Sequence, residues 1–251
     1  MLQPLTSDLL CHEYISHGFF TRKGGVSHGR SELDCGLNSN DDTDHIATNR
    51  ALVAQHLGGS LEGVSQYHSA TVITLTESLH EIQPPADAMV TNVPGLALSI
   101  LTADCGPILF VDAKARVIGA AHSGWRGTVH CVAAKTVQAM ELLGADANNI
   151  CAVLGPTIAQ KSYEVGPEFP ENLKGATAEP MQYLIPSSRA GHWMLDLPGL
   201  IGDQLHALVG HSCTLNADTY TLADQFYSHR RSTHAGQSNN SRQISGICLN
   251  G

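Results

Sequence analysis

The strongest indication of the fold of this chain comes from residues 101–127, LTADCGPILFVDAKARVIGAAHSGWRG. It contains two apolar, β-branched runs, Ile108–Val111 and Val117–Ala121, joined by the short polar link Asp112–Arg116. Apolar runs on either side of a short polar link are typical of the strands of a β-hairpin. Their almost continuous apolar character indicates a sheet that is covered on both faces. We therefore expect a mixed α/β protein with helices outside its sheets.

The register of this hairpin brings a cysteine and a histidine together. If the turn is centred between Ala113 and Lys114, Cys105 lies directly opposite His122. Directly opposed residues have Cβ atoms roughly 4.5–5.5 Å apart, which is close enough for both side chains to bind one metal ion. The prediction depends on the register, because a shift of one residue would separate the two side chains. A buried cysteine and a core histidine remain the alternative interpretation.

His68, in the motif QYH, is the candidate third ligand because it lies just before a predicted strand at Val72–Leu75. Catalytic zinc typically has three protein ligands and a fourth position that is open to water or substrate. One thiolate and two imidazoles favour zinc over magnesium or calcium, which prefer oxygen ligands. We expect zinc to be bound by His68, Cys105 and His122, with copper as a less favoured occupant.

Two glycine-containing segments predict anion binding near this site. Gly124 and Arg126 lie in SGWRG, which leads directly into a predicted helix, and free backbone amides at a helix start attract anions. Arg126 adds a guanidinium group suited to phosphate or carboxylate. Arg22, in TRKGG at 21–25, is a possible second anion-binding residue. Ordinary turns with exposed cations are the alternative interpretation of both segments.

The remaining elements follow from periodicity and from capping residues. Helices are predicted at about 45–57 after Asp44, about 128–143, and about 198–209 after Asp196 and Pro198. Further strands are predicted at Leu96–Leu101 and Ile150–Leu154, and exposed loops at 170–190 and 231–243. No internal repeat or linker is visible, so we expect a single compact domain over residues 1–251.

Composition narrows the class of partner. The chain has 251 residues and a formal net charge of -9, which opposes attraction to nucleic acid and to anionic membrane surfaces. No stretch approaches the roughly 18 apolar residues that cross a bilayer, and the first residues do not resemble a signal peptide. The seven cysteines are scattered singly, so disulfides are not expected. We expect a cytoplasmic protein that acts on a small molecule.

A set of short motifs is spread over most of the chain: GFFTRKGGVSHG at 18–29, LNSNDD at 37–42, QYH at 66–68, LTADCGP at 101–107, AAHSGWRG at 120–127, LGPTI at 154–158, YEVG at 163–166 and FYSHRR at 226–231. The TADC and AHxGWRG pair is the most specific of them. Together these motifs resemble the laccase-domain or polyphenol-oxidase-like family of bacterial zinc proteins described as purine nucleoside phosphorylases.

The resemblance implies that His68, Cys105 and His122 are zinc ligands and that Arg22 belongs to the substrate pocket. It also implies two β-sheets packed together with helices on the outside. The implied activities are phosphorolysis of adenosine, inosine, guanosine and methylthioadenosine, and deamination of adenosine. The tract at 229–243 departs from the family pattern, which leaves the role of its arginines open.

We assign catalytic roles to Cys105, Arg22 and Asp104, and substrate binding to Arg22, Arg126 and Gly124. Four alternatives remain. A copper-dependent polyphenol oxidase needs many clustered histidines, and no His-x-His pair occurs. A metal-free cysteine hydrolase would use Cys105 with His122 as its base and Asp104 nearby. An amide hydrolase acting on mis-incorporated peptidoglycan precursors would keep the zinc, and a structural zinc site could be closed by His80 or His130.

Overall fold

The computed structural model describes residues 2–27, 32–80, 82–237 and 240–251. None of the helices in these ranges is long and apolar enough to cross a membrane. The strands are β1 (Ile15–Phe19), β2 (Lys23–Ser27), β3 (Ser60–Glu62), β4 (Val72–Leu75), β5 (Ala88–Thr91), β6 (Leu96–Thr102), β7 (Gly106–Asp112), β8 (Val117–Ser123), β9 (Cys151–Leu154), β10 (Glu164–Val165), β11 (Leu184–Pro186), β12 (Trp193–Leu195), β13 (His211–Thr214) and β14 (Gln243–Leu249). The α-helices are α1 (Thr43–Leu57), α2 (Trp125–Val129), α3 (Val132–Leu142), α4 (Phe169–Asn172), α5 (Leu197–Leu208) and α6 (His229–His234).

Among the described residues, the strands form two main sheets that pack face to face. The six-stranded sheet has the order β13-β9-β7-β8-β5-β4, and the four-stranded sheet has the order β1-β14-β6-β3. Leu109 and Ile118 of the first sheet share one apolar cluster with Leu98 and Ile247 of the second. A small third sheet, β10-β12-β11, lies beside them. The expected pair of packed sheets is therefore confirmed.

Helices cover the outer faces of both sheets. Alternation along β7 turns Ile108 and Phe110 away from the second sheet, and they pack in a cluster with Met140 of α3 and Ile201 of α5. On the other side, Val53 of α1 packs in a cluster with residues of β6 and β14. The architecture is the expected mixed α+β fold with helices on the outside, in one compact domain.

The predicted hairpin exists, but its register was wrong by two residues. Asp112 pairs with Val117, so the turn has four residues and Pro107, not Cys105, lies opposite His122. The Asp112 carboxylate accepts a hydrogen bond from the Ala115 amide, 2.9 Å away, which stabilises the longer turn. Because side chains alternate with period 2, an error of two residues keeps each side chain on the expected face.

The helix predictions are confirmed in part. The cap of α1 is Asp42 rather than Asp44, because the Asp42 carboxylate accepts from the amide of residue 44. The predicted helix 128–143 is two helices, α2 and α3, separated at Cys131, whose φ of 60° cannot continue a helix. The start of α5 after Asp196 is confirmed, since its carboxylate accepts from the amide of Gly199.

The two predicted loops are more ordered than expected. The segment 170–190 contains most of α4, two 3-10 turns and β11, and buries Leu173, Tyr183 and Leu184. The segment contains many polar residues, and its sequence pattern gave no indication that these three side chains are buried. In 231–243, residues 231–234 continue α6 and Gln243 begins β14. Ser238 and Asn239, in the same segment, lie outside the described residues.

Candidate metal centre

His68, Cys105 and His122 lie together, with one potential ligand atom from each within 4.8 Å of the others. In the part of the chain that the structure describes, they form the only such group of three or more His, Cys, Asp or Glu side chains. Cys105 lies just before β7, His122 lies near the end of β8, and His68 lies in the loop between β3 and β4. Neither His80 nor His130 belongs to the group.

Asp87 holds two of these residues in place, and sequence reasoning missed it. Its Oδ1 accepts from His122 Nδ1 at 2.8 Å and from the His68 amide at 3.0 Å, while Oδ2 accepts from the Ser69 amide at 2.6 Å. In the neutral imidazole whose Nδ1 donates to Asp87, Nε2 carries the lone pair that a metal ion would bind. Burial opposes ionisation, but the hydrogen bonds from His122 and Ser69 lower the pKa of Asp87 to about 2.

The electrostatics of the cluster favour the thiolate form of Cys105. Burial opposes charge on both Cys105 and His122, yet their mutual attraction lowers the pKa of the thiol and raises the pKa of the imidazole. Asp87 also contributes to the raised pKa of His122. A thiolate is the form of cysteine that binds metals, so Cys105 is close to its ligand state.

Gly124 leaves the space that the cluster needs. A Cβ atom at this position would lie 2.8 Å from Cys105 Sγ and 2.9 Å from His68 Cδ2, closer than such atoms normally approach. The donor set, its orientation by Asp87 and this open space together fit a transition-metal ion. The helix that follows Gly124 has only five residues, so its start offers little to the anion binding that was expected there.

The cluster opens into a cavity of about 710 Å³. This volume falls within the roughly 300–1,000 Å³ of small-molecule sites. Three arginines line the cavity together with the cluster: Arg126, Arg230 and Arg242. The Arg126 guanidinium lies 4.4 Å from the centre of the Trp125 ring, and that of Arg230 lies 5.2 Å from the centre of the Tyr163 ring. The cavity therefore combines positive charge with aromatic surface.

Of the two other residues expected to be catalytic, Asp104 lies at the cavity and Arg22 does not line it. Asp104 lines the cavity, but its Oδ1 accepts from Thr219 Oγ1 and its Oδ2 from the Arg230 amide, both at 2.7 Å. Its carboxylate therefore positions Arg230. Arg22 is not among the residues that line the cavity, and its guanidinium pairs with Glu32 at 2.7 Å.

We assigned no role to Arg230 or Arg242 from the sequence, although Arg230 lies in the FYSHRR motif. Their motif positions differ from the family pattern, and only the fold shows that both reach the cavity.

Comparisons with known proteins agree along almost the whole chain. A protein called purine nucleoside phosphorylase from Deinococcus radiodurans is 36% identical over 242 residues, which cover 93% of this chain and 89% of the relative. A protein with the same description from Pseudomonas aeruginosa is 34% identical and covers 86% of this chain and 88% of its own length.

Solved structures show the same fold. The Neisseria meningitidis protein NMB0706, of family DUF152, has a TM-score of 0.85 at 31% identity, covering 99% of both chains. YlmD from Geobacillus stearothermophilus has a TM-score of 0.86 at 26% identity, covering 98% of this chain and 94% of its own. The sequence profile described as multi-copper polyphenol oxidoreductase laccase matches residues 16–250. On these matches, the chain belongs to the multi-copper polyphenol oxidoreductase laccase family.

Proposed function

We propose that this protein is a zinc-dependent purine nucleoside phosphorylase with adenosine, inosine, guanosine and methylthioadenosine among its substrates. The observation that carries the proposal is the junction of a His-Cys-His cluster with a cavity that contains Arg126, Arg230 and Arg242. Relatives described as purine nucleoside phosphorylases support the substrate class. One thiolate and two imidazoles favour zinc, and three protein ligands leave a fourth position open.

Phosphorolysis requires a phosphate to be held beside the sugar of the nucleoside. A phosphate oxygen forms a bond to C1′ while the bond from C1′ to the base nitrogen breaks, and the departing base takes up a proton. The products are a free base and the 1-phosphate of the sugar, which is ribose 1-phosphate for adenosine, inosine and guanosine and 5-methylthioribose 1-phosphate for methylthioadenosine. Bound zinc would supply a Lewis acid that stabilises negative charge in the cavity. Most of the remaining work is positioning and charge stabilisation, which the side chains of the cavity provide.

Hydrogen bonds to the protein orient Arg230 and Arg242 in the cavity. Asp104 fixes the backbone of Arg230, and one guanidinium nitrogen of Arg230 donates to the Glu164 carbonyl at 2.7 Å, which leaves further N–H groups for phosphate. Arg242 donates to the carbonyl of the residue before it, at 2.8 Å. Burial lowers the pKa of Arg242, which indicates a guanidinium partly removed from water, where its attraction for an anion is stronger.

The aromatic side chains beneath these arginines suit a purine. Trp125 and Tyr163 both line the cavity, and flat rings of this kind can stack on a base. Burial raises the pKa of the Tyr163 hydroxyl, so it remains protonated and able to donate a hydrogen bond. We propose that the base lies towards this aromatic surface and the phosphate towards the arginines.

Deamination of adenosine is a second proposed activity, favoured by the three-ligand cluster with its open position. The reaction consumes water and releases ammonia and inosine, so it is separable from phosphorolysis by its products. Oxidation of polyphenols by several copper ions would need further ligand clusters. The part of the chain that the structure describes holds a single cluster of three or more such side chains, and we therefore do not propose that reaction.

One assay tests these proposals together. Zinc-loaded protein is incubated with each purine nucleoside, with and without phosphate, and the products are separated by chromatography. Phosphorolysis predicts free base only when phosphate is present, and deamination predicts inosine from adenosine in both conditions. The absence of free base and inosine would refute both activities. Metal analysis of protein purified without added metal, together with the same assay on metal-free protein, separates the zinc enzyme from a metal-free cysteine hydrolase built on Cys105 and His122.

A further inference from the structure

A second cavity, which we call the α1 groove, lies along one face of α1 and has a volume of about 410 Å³. It is separate from the metal centre. The helix contributes residues at the spacing of a single face: Thr43, Ile46, Ala47, Arg50, Ala51 and Ala54. Leu37 and Leu61 lie across from the helix, so most of the wall is apolar. The small alanine side chains leave the space open.

Arg50 is the unusual member of this wall. Its guanidinium forms no hydrogen bond and no ion pair with the other described residues. Burial lowers the pKa of Arg50, and the thiol of Cys35 is the group that opposes this shift. Burial also raises the pKa of Cys35 to about 12, so this thiol is neutral and supplies no counter-charge. A partly buried guanidinium without an anion is unfavourable.

The charges along the groove indicate how an anion would lie in it. The wall also contains the Asp41 carboxyl group, whose Oδ1 lies 3.3 Å from His45 Nδ1 just before the helix begins. Thr43 and Arg50 are separated by about 10 Å along the helix axis, at 1.5 Å per residue. An anion is therefore attracted to the Arg50 end, and the alanines between the two ends face an apolar group.

We propose that the α1 groove binds a small amphipathic carboxylate, with its carboxylate on Arg50 and its apolar chain between the alanines of α1 and Leu61. A guanidinium forms two parallel hydrogen bonds with a carboxylate, and the apolar wall gains from covering a hydrocarbon chain. The volume is within the range of small-molecule sites. This inference does not depend on the proposed nucleoside chemistry.

The groove and the metal-centre cavity share a wall. Leu37 lines both, and a Cβ atom at the neighbouring Gly36 would lie 3.3 Å from Cγ of Arg242, an arginine of the metal-centre cavity. A ligand in the groove therefore contacts the segment that packs against Arg242. The segment containing Gly36 and Leu37 therefore separates the groove from the metal-centre cavity.

The test is a titration of the zinc-loaded protein with hexanoate, followed by calorimetry and by amide chemical shifts. The control ligands are hexan-1-ol, which lacks the charge, and hexylamine, which reverses it. We expect saturable binding of hexanoate with a Kd of about 1 mM or tighter. Both control ligands should bind at least about tenfold more weakly.

Four variants locate the binding. Arg50→Met should weaken hexanoate binding at least about tenfold, and Ala47→Phe should block it sterically while leaving the charge in place. Arg126→Met removes an arginine from the metal-centre cavity, Arg189→Met removes an exposed arginine elsewhere, and neither should change the affinity. Thermal unfolding verifies that each variant is folded.

Three results would each overturn the proposal: no saturation in the wild type, equal binding of hexan-1-ol or hexylamine, or loss of binding in Arg126→Met but not in Arg50→Met. The last would place the anion in the metal-centre cavity.

Discussion

Among single residues, Asp87 supports the candidate metal centre, because it accepts hydrogen bonds from His122, from the His68 amide and from Ser69. Such partners fix the orientation of the ligands and the tautomer of the imidazole. We predict that Asp87→Asn lowers zinc affinity by about 10–100-fold. Competition with a chromophoric chelator measures the affinity, with the exposed Asp44→Asn as a matched control. Unchanged zinc affinity in Asp87→Asn would show that this carboxylate does not support the site.

The absence of a side chain at Gly124 leaves space for the side chains of Cys105 and His68. A methyl group there would come within 3 Å of atoms of Cys105 and His68, so Gly124→Ala should lower zinc affinity by more than about tenfold. Gly202→Ala is the control, because its Cβ would meet nothing closer than 3.5 Å. In the interior of α5 that change should stabilise the protein by about 0.5–1 kcal/mol. Equal zinc retention by both variants would contradict the steric argument.

The grouping of His68, Cys105 and His122 could be predicted from the sequence, whereas the residues that support it could not. Cys105 and His122 share a hairpin and His68 lies before a strand, but the predicted register was wrong by two residues, and the motifs shared with the family carried the prediction. Asp87 pairs with a residue 35 positions away, and the strand that follows it, β5, was not predicted from the sequence. The placement of Arg230 in the cavity depends on contacts with Asp104, which is 126 positions away.

Among the secondary-structure elements, the turn between β7 and β8 sets the register of the two strands that position Cys105 and His122. Asp112 is 1% exposed and accepts from the Ala115 amide through Oδ1 and from the Asp146 amide through Oδ2. Asp112→Ala would leave both donors without this partner, at a cost of about 1–3 kcal/mol for each that stays buried. Urea unfolding measures the loss. Lys114→Ala, an exposed change in the same turn, should alter stability by less than about 0.5 kcal/mol.

Elements with clear capping residues were predicted well, and elements decided by remote contacts were not. Gly58 in the left-handed region ends α1, and Asp196 begins α5, as the sequence indicates. The break at Cys131 has no local signal, because cysteine rarely adopts a positive φ. In the segment 170–190, burial of Leu173 and Tyr183 depends on distant elements.

Over the whole molecule, stability should depend on pH through His17 of β1. Its Nε2 accepts from the Ser7 amide at 3.0 Å, which requires an unprotonated nitrogen, and burial lowers its pKa from 6.5. The unfolded chain therefore binds a proton more readily than the folded chain, so stability is present above pH 6.5 and decreases as pH falls below it. Urea unfolding between about pH 5 and 7.5 measures the effect. His17→Gln keeps an acceptor without titrating, and its stability should fall less on acidification; an identical pH dependence would argue against this role.

The two packed sheets place the metal centre at one end of the central hairpin, where the loop after β3 and the C-terminal tract can both reach it. We propose that this centre and its arginine-lined cavity carry out phosphorolysis. The most direct measurement is the rate of base release from inosine while metal-free protein is titrated with zinc, at fixed phosphate. We predict a phosphate-dependent rate that rises in proportion to bound zinc and levels off at about one zinc per chain. A full rate without metal, or a rate independent of phosphate, would refute zinc-dependent phosphorolysis.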